Sequence, residues 1–224
     1  PPEHKDATAN LAIEPMPFVD EYVLPLSQHI GAPSVATVEV GQDVTRGQSI
    51  AAPGGFVSVA LHAPVAGRVV AIEPRLHPTG RMTPAIVIRR DPWSSQRFAD
   101  AEPVDPKGLD PKEFLQRVQD AGMVGLGGAA FPSHVKLAVP ADKPIRHVVV
   151  NGCECEPYLT CDHRLMAEHP EDVVRGAAML GDLLGATQLW IGVEANKPDA
   201  VEALRALEYP GLQVVPLQVK YPQG

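Results

Sequence analysis

One change of hydrophobic rhythm divides this chain and limits what it can fold into. From Val35 to Ile88 apolar residues come in short alternating stretches separated by glycines: VATVEVGQDVTRGQSIA, GFVSVALHAPVAGRVVAIEP and AIVIRR. Alternation with period two, broken by glycine, marks half-buried strands joined by tight turns. Residues 37 to 51 and 61 to 73 share one layout of strand, glycine turn and strand, which predicts an all-β sandwich. Beyond residue 145 the runs RHVVVNG, LWIGVE and LQVVPLQ are instead continuously apolar, and they alternate with the amphipathic stretches HPEDVVRGAAMLGDLLGA and NKPDAVEALRALEYPG. That pattern predicts a parallel sheet covered by helices on both faces.

The segment between the two rhythms, DPWSSQRFADAEPVDPKGLD at 91 to 110, is rich in proline and acid, lacks a period and reads as a linker. After it, Asp110 is placed to cap a helix with Pro111 in its first turn, and FLQRVQDAG runs at helical spacing to a stop at Gly122. The predicted fold class is a two-domain α+β chain: a β barrel-sandwich followed by an α/β Rossmann-like domain with a parallel sheet. The predicted boundaries are an extended proline-rich arm at 1–27 lying on a neighbour, the sandwich at 28–92, the linker at 93–109 and the α/β domain at 110–224.

A formal net charge of −8 and the lack of a Lys/Arg-rich run exclude a broad nucleic-acid surface. No stretch approaches the ~18 consecutive apolar residues of a membrane span. Three cysteines confined to 153–161 are no secretory disulfide framework, which points to a reducing, cytoplasmic setting. The opening PPEHK and the closing VKYPQG read as the ends of a piece of a longer protein.

Two stretches carry the chemistry. In GLGGAAFPSHVK, residues 125 to 136, small residues let a backbone approach a planar or phosphorylated ligand, with Phe131 offering a ring face and Lys136 a cation one helical turn on. The G-K-[S/T] ending of a P-loop is absent, and GLGGAA is a loose variant of the dinucleotide fingerprint; phosphate binding and a tight packing turn both remain open. In VVVNGCECEPYLTC, residues 148 to 161, C-x-C-x5-C has neither zinc-knuckle nor iron–sulfur spacing, and a disulfide between Cys153 and Cys155 is geometrically disfavoured. The thiols, with His163 nearby, are therefore read as pocket-liners and no metal site is assigned. Glu154 and Glu156, just past a strand end, suit either ligand hydroxyls or the first turn of a helix.

The sandwich phrases VEVGQDVTRGQ (38–48) and APVAGRV (63–69) resemble the barrel-sandwich hybrid of biotinyl and lipoyl carrier domains, but 51–62 lacks the lysine that carries their prosthetic group. A docking or structural module fits that half better than a carrier. GLGGAAFPSHVK, VVVNGCECEPYLTCDHRLM and IGVEANK, together with PPEHK and QHIGAP, resemble the RnfC family of Rnf-type electron transport complexes, and more remotely the flavin-carrying NADH-oxidising subunit of respiratory complex I. This resemblance implies an FMN and NADH site. Gly125, Gly127, Gly128 and Ala129 would lie along the flavin and nucleotide, Phe131 would stack on an NADH ring, and Lys136 and Asn151 would reach the flavin. Glu154 and Glu156 would contact flavin or NADH, and Glu194 would face the nicotinamide nucleotide. It implies no catalytic side chain in this segment, and two 4Fe–4S motifs beyond it. Its partners would be the other subunits of a membrane complex, NAD(H) and indirectly ferredoxin, at the cytoplasmic face of a bacterial inner membrane. The activity implied is ferredoxin:NAD oxidoreduction; the alternatives are a microcompartment cobalamin reductase sharing this core, or a docking module that holds no cofactor.

Overall fold

The computed structural model describes residues 2–98, 108–140 and 142–222. They form two compact units, one of residues 17–138 and one in which 1–16 joins 139–224.

In the first unit, strands β1 (Glu21–Pro25), β2 (Val35–Ala36), β3 (Asp43–Val44), β4 (Ser49–Ala52), β5 (Leu61–His62), β6 (Gly67–Leu76) and β7 (Met82–Arg90) make two antiparallel sheets. One has the order β1-β7-β6-β3 and the other β2-β4-β5. Alternation does its work here: Val38, Ile50, Val65, Val69, Ile86 and Ile88 point into one core, while Arg68, between buried neighbours, points out to Asp43. Residues 21–25, read above as part of the arm, pair as β1 with β7 from Glu21↔Arg89 to Pro25↔Ala85.

Helices α1 (Pro111–Asp120) and α2 (Ser133–Leu137) belong to this unit as well. Asp110 caps α1 as expected, its Oδ1 accepting from the Lys112 N–H at 2.9 Å. Gln119 of α1 accepts from the Ala60 N–H at 3.2 Å and donates to Ser58 O at 2.9 Å, and His134 of α2 donates to Phe56 O at 2.7 Å. The hairpin where a carrier domain would present its lysine is thus bound by helices. The helix expected to open the second domain packs with the sandwich because these unpaired hairpin groups need partners. Of the expected linker, 93–98 also packs here: Gln96 pairs with the Ala66 N–H and O, and Arg46 lies over the Phe98 ring at 4.2 Å. Residues 99–107 lie outside the described residues.

The second unit carries β8 (His147–Gly152), α3 (Cys161–Glu168), α4 (Pro170–Leu184), β9 (Gln188–Glu194), α5 (Pro198–Arg205) and β10 (Leu212–Leu217). The strands form a parallel sheet of order β10-β9-β8, with Val150 opposite Ile191 and Ile191 opposite Val214. That register aligns Val150, Ile191, Val193, Leu212 and Val214 into one core with Met166, Val174, Ala200 and Leu204 of the helices. Burying Ile191 and Leu204, both fully inaccessible, contributes roughly 1.5–3 kcal/mol each. Cover on both faces was expected; β8 instead alternates, with Val149 70% exposed, because α3, α4 and α5 supply core residues to the Val150 face. The arm also differs from expectation. Residues 3–13 lie on this unit of their own chain, through Tyr158 N–H to Glu3 O at 2.9 Å, Thr160 Oγ1 to Thr8 Oγ1 at 2.9 Å and Arg164 Nη1 to Ala9 O at 3.2 Å.

Candidate functional site

Parallel strands gather their carboxyl ends on one edge, where ligands of open α/β sheets bind. In the second unit that edge is Asn151 to Glu156 after β8 and Glu194 to Lys197 after β9. Asn151 is exposed, and its Oδ1 accepts from the Cys153 N–H at 3.0 Å, which turns the amide NH2 away from the turn. Gly152 lets the strands close here, since a Cβ would lie 2.8 Å from Gly192 O and 2.7 Å from Met166 Sδ.

Glu154 is buried at 4% exposure. Its Oε1 accepts from the Asp162 N–H at 2.7 Å, in the first turn of α3, so this carboxylate does cap a helix. Its Oε2 has no hydrogen-bond donor and faces the Lys5 ammonium at 3.6 Å, while Lys5 Nζ donates to Glu154 O. Glu194 is fully buried; Oε2 accepts from Lys197 Nζ, itself 2% exposed, and Oε1 has no donor. Two buried carboxylate oxygens at adjacent strand ends, each lacking a donor, are costly in isolation. A ligand hydroxyl or ring N–H would satisfy them. Glu156 is exposed in the turn that follows.

Charge crowding shows in the neighbours. Burial, then the Glu154 carboxylate, pushes the Asp162 carboxyl up, against the ammoniums of Lys197 and Lys5. Burial, then Asp162 and Glu154, pushes the Cys161 thiol up; it lies 3.5 Å from Glu154 Oε1. Among the described residues Glu154, Cys161 and Asp162 bring ligand atoms within 4.8 Å of one another. One protonated-leaning thiol and two acids under two ammoniums make a poor cation site, in keeping with the absence of a metal assignment. The thiols read as pocket-liners divide: Cys153 is buried and Cys161 exposed.

In the first unit, the glycine loop is closed at its base by a bridge between Val124 and Pro132 and by the Gly125 N–H to Phe131 O bond at 2.9 Å. Lys136 Nζ sits 5.9 Å from the Phe131 ring centroid, and a Cβ on Gly125 would meet that Nζ at 3.1 Å. Gly125, Phe131 and Lys136 are therefore together, as the sequence suggested. Gly127, Gly128 and Ala129 are exposed at the tip beside Leu126. Gly128 needs glycine for its φ of +98°, whereas Gly127 does not, and a Cβ at either would meet nothing within 4 Å among the described residues. A turn made tight by packing has neighbours at its glycines; this one presents bare backbone. The predicted site residues thus fall into two sets, Gly125 to Lys136 in one unit and Asn151, Glu154, Glu156 and Glu194 in the other.

The sequence reading assigned nothing to Lys5 and Lys197, the cations of the strand-end cluster. Lys197 had a local signal, since it stands three residues after Glu194 where a turn brings the two together. Lys5, 149 residues from Glu154, had none.

The RnfC barrel sandwich hybrid domain matches residues 1–92, and the Nuo51 FMN-binding domain matches residues 118–224, which include both sets. The RnfC-type subunit of the proton-translocating ferredoxin:NAD(+) oxidoreductase complex of Clostridium ljungdahlii is 43% identical across 100% of this chain and 49% of its own length. Its counterpart in the Na(+)-translocating complex of Acetobacterium woodii is 42% identical over 100% of this chain and 51% of its own. The counterpart in the ion-translocating oxidoreductase complex of Pseudomonas aeruginosa is 43% identical over 100% and 29%. The chain spans about half the length of the first two relatives. With both halves matched in order and whole-chain identity above 40% in three relatives, the chain belongs to the RnfC family of ion-translocating oxidoreductase complex subunits.

Proposed function

We propose that this chain forms the FMN- and NADH-binding part of a subunit that oxidises NADH, or reduces NAD, in a membrane-associated ferredoxin:NAD oxidoreductase complex. The observation that carries this reading is the match of the Nuo51 FMN-binding domain across the glycine loop and the strand ends together. The residues fit such a group: open backbone at Gly127 and Gly128, and donor-less buried oxygens on Glu154 and Glu194. Bound flavin would supply hydride acceptance and release of single electrons, chemistry that no side chain here provides.

The chain's own part is to bind and orient. Gly125, Gly127, Gly128 and Ala129 expose amides along the loop, and Phe131 with Lys136 offers a ring face and a cation for a ring and a phosphate-bearing body. Asn151 presents its amide at the strand end, while Glu154, Glu156 and Glu194 accept from polar edges. Buried carboxylates, partly neutralised by Lys5 and Lys197, hold their direction better than exposed ones and so discriminate among hydrogen-bond donors. Electrons would pass to iron–sulfur clusters outside this segment, and other subunits of the complex would be its partners, with ferredoxin reached indirectly. Attachment at the cytoplasmic face of the membrane would be peripheral; among the described residues no helix is long and apolar enough to cross one.

The test is to titrate the intact protein with FMN, following flavin fluorescence, and then add NADH without oxygen. Saturable quenching and bleaching of the flavin absorbance are expected. FMN that stays free, or bound FMN that NADH leaves oxidised, would overturn the reading.

A further inference from the structure

We infer that the N-terminal arm is part of the strand-end site and that Lys5 is a positioning residue for Glu154. This rests on the flavin reading of that edge and adds a residue to it.

Lysine is seldom fully buried unless paired, yet Lys5 is 8% exposed in a segment with no regular secondary structure. Its ammonium is held from two sides of one residue, by the backbone oxygen and by the carboxylate of Glu154. The geometry fixes which carboxylate oxygen does what. Oε1 is taken by the Asp162 N–H, and Lys5 draws Oε2 the other way, so rotation of the carboxylate is arrested. Without Lys5 the same group would be a buried anion beside Asp162 with nothing holding its second oxygen.

The neighbours of Lys5 hold the arm across both strand ends. Glu3 O accepts from the Tyr158 N–H after β8, and Glu3 Oε2 accepts from Asn196 Nδ2 after β9 at 3.1 Å. His4 stacks on Tyr158 with centroids 5.2 Å apart and planes 12° from parallel. Both residues have positive φ, +50° for His4 and +68° for Tyr158. Left-handed backbone at two non-glycine residues in contact persists only where surrounding bonds over-determine it, and such strain gathers at ligand clamps. A plain tether would need none of this.

The experiment compares the intact protein with Lys5→Met, Glu154→Gln and the double variant, reading amide hydrogen exchange at Tyr158 and Asp162 and affinity for FMN. Lys5→Met should speed exchange at both amides and weaken FMN binding by about tenfold, or ~1.4 kcal/mol, with Ile191 exchange unchanged. The double variant should recover most of both, because a neutral pair leaves no unpaired buried charge. Should Lys5→Met fail to fold, Thr8→Val loosens the arm elsewhere and should move exchange and FMN affinity in the same direction. Unchanged exchange and affinity would overturn the inference. So would faster exchange with FMN affinity intact, which describes a strap, and so would absence of recovery in the double variant, which describes bulk in place of charge. If the parent protein takes up no FMN, the flavin reading fails, and exchange alone still decides whether Lys5 holds the turn.

Discussion

Asp199 shows how a single residue ties elements together near the site. It opens α5, accepts from His163 Nε2 of α3 at 2.8 Å and lies 3.7 Å from Arg164. Burial works to raise its carboxyl, and the hydrogen bonds from His163 and its own helix outweigh burial, holding it below the ordinary range. A carboxylate depressed in the folded state contributes stability that is present above its unfolded pKa and lost as pH falls through the folded one. Asp199→Asn should therefore cost about 0.5–1 kcal/mol at neutral pH, at the low end because the side chain is half exposed, and the gap from the parent should close in acid. Denaturant melts at several pH values check this; a gap that widens in acid contradicts it. Glu154 shows the limit of reading a residue from sequence. Its two proposed roles, helix capping and ligand contact, looked like rivals, and the structure gives one oxygen to the helix and leaves the other to face Lys5.

At the scale of elements, legibility followed locality. Asp110 and Pro111 announced α1 because capping is decided within a few residues. The three parallel strands were legible because continuous apolar runs have few other homes. Helix α3 was missed: CDHRLMAE is eight residues with a cysteine and a histidine in its first turn, and its stability comes from burying His163 and Met166 and from the distant Glu154. The uncovered Val149 face and the packing of α1 on the sandwich hairpin were likewise invisible, because both depend on contacts between segments. Gly152 tests the element account directly. A Cβ there is blocked by Gly192 O, a backbone atom of the paired strand that cannot yield without breaking the ladder. Gly152→Ala should destabilise by about 1–3 kcal/mol, read from the denaturant midpoint; an unchanged midpoint would mean that β8 and β9 are not this close at their ends.

For the whole molecule, the sequence motifs outran the periodicity. Composition excluded nucleic-acid binding and a membrane span, and the rhythm change called for two folds. It was the long phrases around Gly125 and Asn151 that pointed to one family, and both halves match it. The domain boundaries were harder to place, because the arm and α1 each group with the half that the rhythm did not assign them. The central claim is that the glycine loop is open for a flavin nucleotide and not for packing. The measurement that tests it most directly is FMN affinity alongside thermal stability in Gly127→Ala of the intact protein, where the new Cβ meets nothing within 4 Å. The account predicts an unchanged melting temperature without flavin and an FMN dissociation constant raised by about tenfold or more, the effect of losing ~1.4 kcal/mol of close backbone approach. Lost stability with FMN affinity intact would contradict it, and would mark the loop as a packing turn.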